Sequence, residues 1–439
     1  MFSRRLKTGY FVLEGLNSFG TVYYFYYFYF FMQQRFGFGN KANLALAALN
    51  GATYAVVAWW AGKFAQRFGY FNALKLGFAV MLSALGVGAF FVGSLHESAG
   101  GHIVIMVVTV MGMCFTWPTL EALVCEGEPR AGLQHMVGVY NLVWASTAAL
   151  GNFTGGAMLE RLGFRSLFLV PMGILTTQFA LTLWLENRAT RTARPVLHRE
   201  TETVGMTLAA GGLASPHAAV CPQTLRQSIA DQAALVAEAP VRSPELRVLP
   251  AAQARSFLRM AWLVNPFAYI AINTLIAVIP GVARRLELTT TIAGFLCSTW
   301  CFARLGAFAV LWRWHGWHYR FRWLLAWYFV LIGSFAATLL APNLAVVILA
   351  QMLFGCAIGL FYYSSLFYSM DIGETKGEHG GIHEAAIGMG NFAGPAIGTL
   401  ALQLLPAYSN SGTVAVSLLL LCGLGGLVSL WQWGRRGPP

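Results

Sequence analysis

Charge is what this sequence has least of. Only 10% of its 439 residues are Asp, Glu, Lys or Arg, against roughly 25% in soluble domains. Hydrophobic residues make up 57% and the mean hydropathy is +0.59, which excludes a water-soluble fold. Acid is scarcer than base, with 17 Asp and Glu against 29 Lys and Arg, a formal charge of +12. The surplus base sits between hydrophobic runs and forms no basic stripe of the kind a nucleic-acid binder needs, so no nucleic-acid partner is expected. The seven cysteines, Cys114, Cys125, Cys221, Cys297, Cys301, Cys356 and Cys422, include no CxxC pair and read as small packing residues, not a metal or redox site. Also missing are the phosphate-cradling GxxxxGK[ST] loop, HExxH, a paired-Asp motif and a Ser, His, Asp constellation. Direct drive by ATP and enzymatic chemistry are therefore not expected, and no cofactor is implied.

What is present is a succession of apolar runs, each near the roughly 20 residues that a helix needs to cross a bilayer. Six fall at 9 to 33, 42 to 64, 72 to 95, 101 to 126, 132 to 159 and 164 to 186; six more fall at 256 to 283, 288 to 312, 319 to 341, 343 to 371, 380 to 405 and 412 to 434. The first is too long for a signal peptide and no small-residue cleavage site follows it. These runs predict an all-α polytopic membrane protein of twelve transmembrane helices, in an N-terminal six-helix bundle (1–186) and a C-terminal one (256–439). Between them, 187–255 has no long apolar run and reads as a largely disordered cytoplasmic linker, with a short amphipathic helix near Thr224 to Ala239. With the N-terminus inside, the inner segments other than the linker hold thirteen basic residues: Arg4, Arg5, Lys7, Lys63, Arg67, Lys75, Arg130, Arg313, Arg320, Arg322, Lys376, Arg435 and Arg436. The outer loops hold six: Arg35, Lys41, Arg161, Arg165, Arg284 and Arg285. This bias places both termini in the cytoplasm of a cell that carries the protein in its inner or plasma membrane.

The two halves echo each other. Gly151-Asn152-Phe153-Thr154-Gly155-Gly156 in the fifth run recurs as Gly390-Asn391-Phe392-Ala393-Gly394-Pro395 in the eleventh, the trace of a duplicated transporter whose site lies between its halves. Small residues at this spacing also let helices approach closely. Between the second and third runs, Gly62-Lys63-Phe64-Ala65-Gln66-Arg67-Phe68-Gly69 resembles the loop signature of the major facilitator superfamily, with Gln66 where the family carries an acid. Gly62, Arg67 and Gly69 match the pattern and are expected to turn the chain sharply and to hold an intracellular gate. The fifth helix resembles the Gly-Pro-x-x-Gly-Gly signature of the superfamily's proton antiporters, with Asn152 in place of the proline; the eleventh restores it as Gly394-Pro395.

The resemblance implies that helices 1, 4, 7 and 10 line a central cavity. Those runs carry polar stripes at helical spacing: Glu14, Asn17, Thr21 and Tyr24; Trp117 and Glu121; Asn265, Tyr269 and Asn273; Tyr362 and Ser365. The cluster Tyr23, Tyr24, Tyr26, Tyr27 and Tyr29 covers every face of helix 1, so some of its rings are expected at the lipid interface and others in the cavity. Ionisable groups are sharper pointers, because placing a charge in a bilayer costs about 2.5 to 3.5 kcal/mol. Glu14, Glu121, Arg304 and the His383-Glu384 pair qualify. They read either as a proton relay, with Glu14 its first carboxylate, or as a salt-bridge network that locks the inward gate. Arg304 reads as a counter-charge for a carboxylate or as a clamp for an anionic group of the solute.

The function expected is secondary active transport of a small solute by alternating access, coupled to H+, a monomer sufficing for the mechanism. The degraded antiporter signature favours export of an amphipathic organic compound; uptake of a sugar or organic acid is the second reading. A membrane-embedded enzyme or a receptor without transport is a remote third.

Overall fold

The computed structural model describes the backbone over 4–126, 130–210, 251–372 and 376–436, and side chains over 6–126, 135–191, 253–369 and 384–435. Its α-helices are α1 (Arg4–Phe36), α2 (Asn40–Phe68), α3 (Tyr70–Phe91), α4 (Ala99–Met113), α5 (Trp117–Cys125), α6 (Arg130–Leu162), α7 (Ser166–Ala210), α8 (Ala251–Arg285), α9 (Thr290–Cys297), α10 (Thr299–Arg313), α11 (Phe321–Leu340), α12 (Leu344–Ile372), α13 (Lys376–Leu404) and α14 (Ser411–Arg436). No strand occurs among the described residues. In a bilayer only a helix or a closed barrel pairs every backbone group internally, so apolar runs of this length are driven to helix. Ten segments among the described residues are long and apolar enough to cross a membrane. The chain is a multi-pass membrane protein. At 33 residues each, α1 and α6 also have the length, but tyrosine, asparagine and glycine dilute their hydropathy.

Residues 1–186 and 251–439 form one compact unit and 187–250 a second. The chain is helical past Asn187, since α7 runs to Ala210, whereas the sequence predicts a tether from 187; no glycine between Gly173 and Gly205 interrupts it. The helix predicted near Thr224 to Ala239, and Cys221, lie outside the described residues.

Two spans are broken. α4 ends before Cys114, and α5 starts with Pro118 in its first turn, because proline there cannot donate back to the preceding turn. The second break, at Ser298 between α9 and α10, has no proline. Asn152 of α6 donates its side-chain amide to the Cys297 carbonyl at 3.1 Å and approaches the Cys301 Sγ at 3.5 Å, occupying one carbonyl at the broken helix end. The residue that replaces the signature proline thus ties the first half to the second.

The Gly62–Gly69 segment is not a loop. Its first seven residues complete α2, and the turn is Gly69 alone, which caps α2 and begins α3 at φ 91°, a conformation open to glycine at no steric cost. Gly62 lies in mid-helix with nothing within 4 Å of where a Cβ would stand, so it turns nothing. Arg67 sits in the last turn of α2, where a cation suits the helix end, and its guanidinium lies 5.3 Å from the Phe68 ring centre.

At the far end of α1, Arg35 donates to Glu97 Oε2 at 2.7 Å, His102 Nε2 meets Oε1 at 3.2 Å, and the Gly93 amide donates to Oε2 at 2.9 Å. Glu97 is thus the clasp between α1, the α3–α4 loop and α4. Burial alone would raise its pKa, but the hydrogen bonds from Arg35, Gly93 and His102 outweigh burial and hold the carboxyl below its ordinary value. A carboxylate with a lowered folded pKa contributes stability above its ordinary range and loses it as pH falls through the folded value. Glu97→Gln is expected to cost about 1 to 3 kcal/mol, read as a lower thermal unfolding midpoint at neutral pH, with the gap to the wild type closing on acidification. An unchanged midpoint at pH 7 would show that the clasp contributes nothing.

Candidate functional site

Where the two halves meet they enclose a cavity of about 130 Å³. α1 contributes Glu14, Ser18, Thr21, Val22, Phe25 and Tyr26; α4 and α5 contribute Met113, Trp117 and Glu121; α8 contributes Tyr269, Ile272, Asn273 and Ile276. Arg304 of α10, Tyr362 of α12 and Glu384 of α13 complete the set of expected residues that the fold brings together. Asn50 and Tyr54 of α2, Tyr140, Trp144 and Ala148 of α6, and Ile387 and Asn391 of α13 also line it, and the stripes of helices 1, 4, 7 and 10 do not point to them.

Several expectations are corrected. Asn17 and Tyr24 do not face this cavity; they turn into a small pocket inside the first half, with Met81, Thr109 and Gln178. Asn265 and Ser365 are buried outside the cavity lining. The tyrosine cluster does not reach the lipid interface: Tyr23, Tyr24, Tyr27 and Tyr29 are packed inside and Tyr26 faces the cavity. The Tyr23 hydroxyl pairs with Ser166 Oγ at 2.7 Å, and that of Tyr27 donates to the Asn152 carbonyl. His383 falls within α13, with its side chain outside the described residues.

Three carboxylates share this space. Glu14 is 1% exposed and accepts a hydrogen bond from Ser18 Oγ at 2.7 Å on Oε1. Glu384 is 5% exposed and accepts from the Tyr54 hydroxyl, a bond that joins α13 to α2 across the halves. Glu121 stands one turn along from Trp117. Among the described residues no ion pair joins any of them to a base. The Asn273 amide donates to Asn391 Oδ1, placing two polar groups from the second half on the cavity wall.

Arg304 is 5% exposed. Its guanidinium lies 4.4 Å from the Trp144 ring centre and 4.8 Å from that of Trp300. Cation–π contacts of this kind are worth about 2 kcal/mol or more once desolvated, comparable to the roughly 2.5 to 3.5 kcal/mol that a charge costs in a bilayer. The aromatic stack therefore explains how an arginine stays buried with no acid paired to it among the described residues.

Glycines set how closely helices approach within each half and, at Gly156, between the halves. A Cβ on Gly151 would stand 2.9 Å from the Phe19 carbonyl of α1, and one on Gly155 would strike the Tyr27 ring. On Gly390 it would strike the Pro266 carbonyl of α8, and on Gly394 it would stand 2.5 Å from that of Ile270. Pro395 lies buried within α13. Gly156 meets the backbone of Thr290 in the second half. At that end the halves are also joined by Gln34 to Thr290 Oγ1 at 2.9 Å, by Lys41 to Gln403 at 2.9 Å, and by Glu160, which accepts from the Thr291 amide at 2.9 Å and its hydroxyl at 2.8 Å. Glu160 so places a carboxylate at the N-terminus of α9, where the helix dipole favours it.

Membrane-crossing helices around a polar cavity between two halves, with buried acids and a buried base on its wall, define a secondary transporter. The pattern of the Major Facilitator Superfamily matches residues 80–395, and the chain belongs to that superfamily. Its fold is shared by solved transporters. A POT family transporter in complex with a thioalcohol-conjugated peptide is 13% identical, with TM-score 0.63, covering 98% of this chain and 96% of the other. A POT family transporter in complex with 5-aminolevulinic acid is 12% identical, with TM-score 0.62, over 98% and 96%. A structure from work on substrate recognition in proton-dependent oligopeptide transporters is 16% identical, with TM-score 0.63, over 98% and 99%. No individually curated protein matches the sequence.

Proposed function

We propose that the protein is a proton-coupled secondary transporter that moves a small organic solute by alternating access, exporting it in exchange for protons. In this reading the chain crosses the membrane twelve times, as two pseudo-symmetric six-helix bundles (1–186 and 256–439) joined by a cytoplasmic linker, with both termini in the cytoplasm. The observation that carries it is the placement of Glu14, Glu121 and Glu384 in one cavity, with no base paired to them among the described residues. A buried carboxylate is settled either by a proton or by a cationic centre on the solute, both of which would seek the same oxygens. Proton and solute then compete for one site, and competition yields exchange. Rocking the halves about the cavity would expose those oxygens to each side in turn.

Uptake together with protons is the second reading. It is favoured by fold neighbours that bind a peptide and 5-aminolevulinic acid, solutes with both an amine and a carboxylate. The test is proton movement in inside-out vesicles holding the protein, followed with a pH-sensitive dye while drugs, dipeptides, sugars and organic acids are added. Collapse of an inside-acid gradient on addition of one class, absent without the protein, is the result expected of exchange. A solute that builds an inside-acid gradient would replace export by uptake, and accumulation of a labelled solute indifferent to the pH gradient would remove proton coupling.

A further inference from the structure

We propose that Arg304 is the seat of an anionic group on the solute, so that the cavity takes a zwitterion, its acid group on Arg304 and its cationic centre among the glutamates. The proposal rests on the transport reading of the same cavity. Arg304 lines the cavity and is almost wholly buried, yet among the described residues its guanidinium has no carboxylate within ion-pair distance, and its Nε finds no hydrogen-bond partner. The rings of Trp144 and Trp300 hold the group in place. Trp144 is itself fixed, by its indole N–H on Asn141 Oδ1 at 2.9 Å and by an edge contact to Tyr362 at 5.3 Å, and Tyr26 stacks on Trp300 at 6.3 Å. Rings satisfy the charge but take up none of its N–H donors; Nε is shut away from the cavity, and the two terminal nitrogens keep the planar geometry that matches a carboxylate.

Three carboxylates in the same cavity had every opportunity to pair with this cation. That the fold keeps Arg304 apart from them decides between the two roles its sequence position allows: a counter-charge would be used up by its acid, whereas a stacked guanidinium with open donors is set to receive one. A planar carboxylate on a ring-bearing solute suits it best, since Tyr26, Trp144 and Tyr362 offer aromatic faces and edges beside it.

The test uses benzoate and benzamide, equal in shape and different in charge, with the purified full-length protein in detergent, and reads their binding by ligand-observed saturation-transfer NMR. Benzoate is expected to bind and benzamide to bind at least tenfold more weakly. Arg304→Gln is expected to weaken benzoate about 10- to 100-fold, the effect of losing a charge-assisted hydrogen-bonded pair, while benzamide is unchanged. Arg304→Lys, which keeps the charge and loses the fork, is expected to fall between them and guards against a glutamine variant that fails to fold. Equal binding of the two probes to the wild type, no binding of benzoate, or benzoate binding untouched in both variants would overturn the proposal. Because this readout involves no proton, it can fail while the vesicle assay supports transport, or succeed while that assay removes proton coupling.

Discussion

Glu14→Gln is expected to bring solute-driven proton movement in vesicles down to the level of vesicles without protein, while solute exchange between the two sides, measured as counterflow, persists. Glutamine keeps the volume of the side chain and the Oε1 that accepts from Ser18, but it cannot take up a proton. The carboxylate sits in the first third of α1, the helix with the most side chains on the cavity, so its protonation state is read by the solute and by the moving helix together. The same substitution removes a buried group that is costly when charged, and such replacements are often neutral or stabilising. The thermal midpoint should therefore stay level or rise, which separates a lost proton site from a damaged fold. Should Glu14→Gln retain half or more of the wild-type proton signal, the coupling proton belongs to Glu121 or Glu384, and the same substitution at each would find it. At Glu384 glutamine still accepts from the Tyr54 hydroxyl, so the bridge between the halves survives that test.

How much of this was legible beforehand varies along α1. A polar stripe fixes a helix face only to within the width of the stripe. Glu14 and Thr21 belong to two overlapping choices, one continued by Asn17 and Tyr24, the other by Ser18 and Phe25. At 3.6 residues per turn the first pair lies about 60° and 80° to one side of Glu14, and the second about 40° and 20° to the other. Only the packing of α1 against its neighbours chooses between them, and it turns Asn17 and Tyr24 into the first half. Glu14, Glu121, Arg304 and Glu384, which line the cavity, are legible in the sequence because the bilayer makes each of them expensive, whatever face it occupies. Tyr54, Tyr140 and Trp144 carry no such mark. In helices that read as apolar, a tyrosine or tryptophan looks the same whether it faces lipid, a neighbouring helix or a cavity. The break at Ser298 was hidden for another reason, since its partner, Asn152, lies far away in the chain. The Gly62–Gly69 match located a boundary correctly but assigned the turn to two glycines where the backbone uses one.

Two glycines of α2 should therefore respond in opposite ways. A Cβ on Gly51 would collide with the backbone of Asn391 and Phe392 in α13, and one on Gly388, near the same crossing, would stand 2.6 Å from Cα of Ala55. The two helices meet there backbone to backbone, and the Tyr54–Glu384 bond crosses the same interface. Backbone cannot swing aside as a side chain does, so Gly51→Ala must push α2 and α13 apart. Overpacking of this kind costs about 1 to 3 kcal/mol, and transport is expected to fall at least about tenfold, because the closed contact between the halves is one of the states the cycle visits. Gly62→Ala adds the same methyl group to the same helix where nothing lies within 4 Å. Alanine relieves the conformational entropy penalty of a mid-helix glycine, so this variant should gain about 0.5 to 1 kcal/mol and transport as the wild type does. Thermal unfolding and uptake into vesicles, measured on both, decide the matter. Wild-type transport by Gly51→Ala would mean that the α2–α13 contact is not closed during the cycle. Loss of transport in a stabilised Gly62→Ala would restore to Gly62 the gating part that its position in α2 denies it.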